Sequence, residues 1–148
     1  MDNALFKRLN SQEKEAFLNL FREKKIQKGQ IIKQEKTNTE NAFFLKEGEL
    51  LVKKNTSDDM MEIATVSTED VCFSITCLVD GGKSTTSVSA KKDSIILEIT
   101  QKDFFAFCER NPETGVKILK NATIMLAKFL RKSDEKNAEM YKTLEEVL

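Results

Sequence analysis

Apolar residues change their spacing several times along the chain, and each change marks a different kind of element. Near the start, Leu5, Phe6 and Leu9 form a cluster the size of one helical turn. Asn10 and Ser11 follow as N-cap residues, and Asn10 with Glu13 has the spacing of a capping box. Phe17, Leu20 and Phe21 then fall at helical spacing, so a short helix is expected to end before the Lys28-Gly29 turn.

From Gln30 to about Ile99 the helical period is lost. Short β-prone runs at Ile31, Ala42–Leu45, Glu49–Val52, Met61–Val66, Thr86–Ala90 and Ser94–Ile99 are divided by polar or glycine-bearing turns. Glu49–Lys53 and Thr86–Ala90 partly alternate, as half-buried strands do. Such spacing predicts a small barrel or jelly roll. Inside it, Phe73–Val79 is an apolar insert long enough for one short helix. After Ile99 the pattern returns to helix: Thr100 can cap a segment carrying Phe104, Phe105 and Phe107. Asn111-Pro112 breaks that helix, and Pro112 restarts the chain at a first-turn position. The expected fold class is α+β: a mainly β jelly roll with N-terminal helices, one short inner helix and a long C-terminal helix, forming one domain over residues 1–148.

The last segment, 112–148, carries a seam of Val116, Leu119, Thr123, Leu126, Leu130, Ser133, Asn137, Met140, Leu144 and Val147. Its steps alternate three and four, the spacing of a coiled-coil interface. As one helix the segment would reach roughly 50 Å at ~1.5 Å per residue, too long to lie wholly on a small barrel. The expectation is a homodimer in which Leu119, Leu126, Leu130, Asn137, Met140 and Leu144 meet a second copy. The competing reading is a capping helix with a frayed tail, and Ser133-Asp134 could also start a separate helix.

Composition narrows the chemistry. Lys+Arg and Asp+Glu are 24 each in 148 residues, so bulk attraction to nucleic acid or anionic lipid is not indicated. No apolar run approaches the ~20 residues of a membrane span. Histidine is absent, which removes Ser-His-Asp and Cys-His catalysis and imidazole-based zinc sites. No carboxylate pair stands at a spacing that argues for acid–base work, so a non-enzyme without a metal is expected. Cys72, Cys77 and Cys108 read as reduced, buried thiols of a cytoplasmic protein.

One loop does look chemical. Val79–Val88 reads V-D-G-G-K-S-T-T-S-V, and Gly82-Lys83-Ser84 matches the last three positions of a nucleotide P-loop. Cys77 stands where the first glycine belongs, and the loop leads into a strand rather than a helix. The plain alternative is a turn, with Asp80, Gly81 and Gly82 serving turn geometry.

The order of elements, with L-F-K-R-L-N-S-Q-E-K-E-A-F (Leu5–Phe17), K-G-Q-I-I (Lys28–Ile32) and A-F-F-L-K-E-G-E-L-L-V (Ala42–Val52), resembles the cyclic nucleotide-binding domain family. The resemblance covers nearly the whole chain. The family's phosphate-binding cassette looks like F-G-E, a leucine, a turn, then R-[ST]-A before a strand. The matching run is Phe73–Ala90, F-S-I-T-C-L-V-D-G-G-K-S-T-T-S-V-S-A. The resemblance implies a glycine that admits the cyclic phosphate, a glutamate on the ribose hydroxyl and an arginine on the phosphate. Those places hold Ser74, Ile75 and Ser84. Loss of the arginine removes a charge-assisted pair worth ~1.5–3 kcal/mol. Lys83, beside it, is a point charge rather than a planar fork.

The candidate cassette residues are therefore Phe73, Ser74, Ile75, Thr76, Lys83, Ser84, Thr85 and Thr86, with Ile75 as a plug of an empty pocket. In the catabolite-activator branch of the family a Thr-Ser pair on the long helix contacts the base. Leu130–Lys136 looks similar, placing Ser133 and Asp134 there. What the resemblance implies is a regulatory or sensor module with no certain cofactor, a cyclic nucleotide being the candidate ligand. It is expected not to bind cAMP in the usual way and to act through dimerisation or a protein partner. A cyclic-nucleotide sensor with an unusual site is the alternative. Direct nucleic-acid binding is not expected, because no helix-turn-helix segment follows the long helix within the 148 residues, and no membrane role is expected either.

Overall fold

The computed structural model describes residues 3–56, 59–68 and 70–147. A 3-10 turn, Ala4–Phe6, precedes α1 (Ser11–Leu18). Eight strands among the described residues follow: β1 (Arg22–Ile26), β2 (Ile31–Lys33), β3 (Asn41–Glu47), β4 (Leu50–Asn55), β5 (Met60–Val66), β6 (Cys72–Phe73), β7 (Ser87–Ala90) and β8 (Ser94–Thr100). Helix α2 (Ile75–Asp80) interrupts them between β6 and β7, and α3 (Gln101–Arg110) and α4 (Pro112–Val147) close the chain. All pairings are antiparallel, in two four-stranded sheets of order β1-β8-β3-β6 and β2-β7-β4-β5. This is the expected jelly roll with helices at both ends of the sequence.

Strand β3 shows how one sequence serves two cores. Phe43 and Leu45 point into the barrel with Leu50, Phe73, Val88 and Ile96. Ala42 and Phe44 point the other way, into a layer built by Leu5, Phe6, Phe17, Phe104, Ile118 and Met125. Both faces are covered, so A-F-F-L is continuously apolar rather than alternating.

The helix starts follow their caps. Asn10 Oδ1 accepts from the Glu13 N–H at 2.9 Å while Glu13 Oε1 accepts from the Asn10 N–H at 3.0 Å, the expected capping box. Thr100 Oγ1 accepts from the Asp103 N–H at 3.1 Å and starts α3. Helix α4 runs unbroken through Ser133-Asp134, so no separate helix begins there. The expected end at Leu148 lies outside the described residues.

Strand β1 is a correction to the expectation that the β region begins at Gln30. Arg-Glu-Lys-Lys carries no apolar signal, and Ile26 alone in the strand is buried. It forms because β8 offers it a ladder, from Arg22 opposite Glu98 to Ile26 opposite Ser94. Exposed charges on an edge strand also discourage further pairing.

The first turns of α4 are fixed to the body. Asn121 is buried and donates from Nδ2 to the carbonyls of Leu5 (2.9 Å) and Lys7 (2.6 Å), while its Oδ1 accepts from Arg8 Nη1 at 2.7 Å. Lys117 Nζ and Thr114 Oγ1 donate to the Glu13 carboxylate at 2.8 and 2.6 Å. Gly115 lies against α3 so closely that a Cβ there would stand 2.8 Å from the Cys108 carbonyl oxygen.

Candidate functional site

The candidate site is the run from β6 to β7, a cassette with an incoming arm, the short α2 and an outgoing arm. Phe73 pairs with Phe43 across the sheet and stacks on it, ring centroids 4.9 Å apart and 10° from parallel. The next residue leaves the strand by a left-handed step: Ser74 has φ 66° and ψ 30°. That is backbone a glycine adopts freely, and a Cβ there costs about 1–2 kcal/mol. The turn geometry thus persists where the family-like glycine has become serine. The Ser74 hydroxyl is buried and has no hydrogen-bond partner.

Ile75 occupies the place the resemblance gives to a carboxylate. It is buried, but it belongs to the core layer under the helices, with Leu78, Phe104 and Met125, and not to the barrel cluster. It therefore supports α2 from the helix side and does not plug the barrel. Thr76 is exposed and Cys77 is buried.

The outgoing arm is occupied by its own bonds. Gly81, at φ 69°, ends α2 by donating its N–H to the Cys77 carbonyl at 2.7 Å. Lys83 is exposed and forms an isolated bridge with Asn38. Ser84, at the arginine's place, is only 2 % exposed. Its N–H donates to the Thr37 carbonyl (2.9 Å), its carbonyl accepts from the Lys36 N–H (2.8 Å), and its Oγ donates to the Thr86 carbonyl (2.6 Å). Lys54 Nζ reaches the Thr85 carbonyl at 2.9 Å and the Glu35 carboxylate at 2.9 Å. Glu35 also accepts from the Asn55 N–H at 2.7 Å, and these bonds hold its carboxyl below the usual range. The hydroxyl of Ser87 accepts from the Glu35 N–H. The loop after β2 is thus laced to the outgoing arm, and the P-loop likeness ends here: the segment leads into β7.

Two contributors escaped the sequence reading. One is Glu35, the lacing carboxylate. The other is Lys33, at the end of β2, half-buried opposite the fully buried Val88. Burial lowers its ammonium pKa. A lysine directly after Ile31-Ile32 was the available signal.

Ser133 and Asp134 are not brought to the cassette within one chain. From Lys128 to Val147 every residue of α4 is exposed. Leu119 and Leu126, expected at a dimer seam, are partly packed against the helix-side core of their own chain, whereas Leu130, Asn137, Met140 and Leu144 are open. Cys72, Cys77 and Cys108 are free and buried, and burial pushes the Cys72 thiol up to about 12. Among the described residues no acid, thiol or imidazole cluster suited to a metal occurs, and no helix is long and apolar enough to cross a membrane.

Comparison with known proteins agrees with this geometry. The family model of the cyclic nucleotide-binding domain matches residues 23–111, more than half of the chain, and the chain belongs to that family. A catabolite activator protein from Thermus thermophilus superposes with a TM-score of 0.84 at 20% identity, covering 93% of this chain and 62% of its own. This chain therefore spans less than two thirds of that activator. The N-terminal domain of a transcriptional regulator from Streptomyces coelicolor A3(2) gives 0.76 at 19% identity, over 90% of this chain and 91% of that one. The regulatory domain of Toxoplasma gondii PKA, solved with cAMP, gives 0.65 at 20% identity over 70% and 40% of the two chains. At these identities the likeness is one of fold. Among curated proteins no significant sequence match is found.

Proposed function

We propose that this chain is a non-enzymatic regulatory module of the cyclic nucleotide-binding family. On this reading its cassette has lost the arginine-and-glutamate grip on cAMP, and it acts by pairing α4 with a second copy. The observation that carries the reading is Ser84: its N–H, carbonyl and hydroxyl are all spent inside the protein. A ligand arriving at the arginine's place would find no free donor on that residue, and breaking the lacing would leave buried groups unpaired. Ile75 supplies no carboxylate for a ribose hydroxyl. The far end of α4 is exposed and carries an apolar line, where Leu130, Met140, Leu144 and Val147 continue the three-four seam. Free, buried thiols suit a reducing cytoplasm.

Calorimetry with cAMP and cGMP is the test of the cassette, and no micromolar binding is expected. Light scattering tests the pairing: the full chain should have the mass of a dimer and a chain ending at Arg131 that of a monomer. Micromolar binding of either nucleotide, or equal monomer masses for both chains, would overturn the corresponding half. The alternative, a sensor with an unusual site, is favoured by one feature, the unpartnered Ser74 hydroxyl in the incoming arm.

A further inference from the structure

The N-terminal turn and α4 meet at a small cavity that shares no lining residue with the cassette. Its volume is about 80 Å³, and Lys7, Arg8 and Lys128 stand around a floor of Asn121, Ile124 and Met125. Asn121 is a fixed post in that floor. It is only 2 % exposed, its Nδ2 donates to the Leu5 and Lys7 carbonyls, and its Oδ1 accepts from Arg8 Nη1. Arg8 reaches that bond from left-handed backbone, φ 69°, which residues with a side chain adopt rarely. One N–H of its guanidinium is engaged, and the rest of the fork meets no protein acceptor among the described residues. None of the three cations has a carboxylate partner there: the ion pairs among the described residues use Lys24, Lys46, Lys54, Lys91 and Lys117.

A chain with equal numbers of acidic and basic residues has thus gathered three unpaired cations at one cavity. A guanidinium fork beside two ammonium groups is a donor set that suits a phosphate dianion. The fork can bind two oxygens at once, and the lysines add point charge. An extended polyanion fits less well, because it needs a track of phosphate contacts. Past Lys132 the helix reads Ser133-Asp134-Glu135-Lys136, with Glu139 following, so acids interrupt any such track. We propose that Arg8, Lys7 and Lys128 form a site for one phosphate dianion, either free or carried as a monoester on a partner protein. The site lies outside the cassette and needs no nucleotide. It is also independent of pairing through α4: at ~100° per residue, Lys128 sits about 200° round the helix from Leu130. Its occupation ties the N-terminal turn to α4 where the covered half of that helix gives way to the exposed half.

The test is a two-dimensional NMR titration of the full chain with sodium phosphate, at ionic strength fixed with sodium chloride. Mildly alkaline pH keeps the dianion predominant. Saturable shifts are expected at the amides of Lys7, Arg8 and Lys128, and not at those from Ser74 to Thr86. Lys7→Gln and Lys128→Gln, both at exposed positions, should fold normally and should each weaken the apparent affinity about tenfold. The double variant should show no saturable shift. Lys142→Gln, at an exposed lysine outside the cavity, should bind as the wild type does. A phosphoserine peptide with uncharged flanks separates the two sources. Binding at least about tenfold tighter than free phosphate assigns a phosphorylated partner, equal or weaker binding assigns the free ion, and either result upholds the site. No saturable shift at these amides with either probe would overturn it. A response unchanged in the double variant, or reduced as much by Lys142→Gln, would do the same by showing general charge screening. Shifts confined to the cassette would place the phosphate there and end the proposal. Micromolar cAMP binding that leaves the Lys7, Arg8 and Lys128 amides responsive to phosphate would overturn the proposed function and leave this site standing.

Discussion

Helix α4 is one continuous helix, yet its two halves are different objects. From Pro112 to Met125 it is part of the domain: Gly115, Ile118, Asn121, Ala122 and Met125 are buried, and the helix is tied to the Glu13 carboxylate of α1 and to the Leu5 carbonyl of the N-terminal turn. From Lys128 to Val147 no residue is covered. The same three-four seam runs through both halves. In the first half Leu119 and Leu126 pack against the core of their own chain; in the second, Leu130, Met140 and Leu144 are exposed. A heptad pattern therefore says that a stripe of helix is to be covered, but not by which chain.

The largest effect should come from breaking the gripped half. Gly115→Val puts a branched side chain where a Cβ would already lie 2.8 and 2.9 Å from backbone atoms of Cys108. Backbone cannot swing aside as a flexible side chain would, so α3 and α4 must part. We expect a loss of about 3 kcal/mol in urea unfolding, at the upper end of overpacking costs. A loss below ~1 kcal/mol would show that the two helices are less firmly seated than their contact implies.

A smaller and pH-dependent effect should come from Glu13, which binds the same half electrostatically. Lys117 first, then Thr114 and the Asn10 N–H, hold its carboxyl down to about 2 from an ordinary 4.5, against a smaller opposing push from burial. A depressed carboxylate favours the folded chain wherever it is ionised. That contribution is complete above the ordinary value and is lost as pH falls from there through about 2. Glu13→Gln should therefore lower the thermal midpoint most at neutral pH and converge on wild type near the acid end. Parallel curves at every pH would mean that the capping hydrogen bonds, not the charge, carry the link.

These contrasts also show what the sequence could tell. Capping boxes, proline restarts and alternation are local, and they gave α1, the start of α4 and most strands. Strand β1 was illegible because its stability lies in β8, seventy residues on, and R-E-K-K carries no pattern of its own. At the cassette the substitutions Ser74, Ile75 and Ser84 were legible from the family frame, but their consequences were not. Ile75 reads as a plug until the sheet shows which face it belongs to, and Ser84 reads as a hydroxyl donor until the loop after β2 is seen to consume it. Lys33 stayed invisible for a related reason. A lysine after two isoleucines looks like the polar end of a strand, and only the fold shows it half-buried opposite the fully buried Val88.

The smallest effect on folding should come from the open half, and it separates the two halves most cleanly. Leu130→Glu with Leu144→Glu replaces exposed side chains outside the core, so unfolding of the monomer should move by no more than about 0.5 kcal/mol. Backbone hydrogen exchange then distinguishes what covers the seam. Most helical stability comes from packing, so without a partner the amides from Lys128 onward should exchange quickly at any protein concentration. With a second copy bound, their protection should rise with concentration in the wild type, because association stabilises the paired form by mass action. In the double variant that rise should disappear while amides near Ile118 and Ala122 stay protected. Slow exchange beyond Lys128 in both proteins at every dilution would mean that the helix is held by something other than its seam.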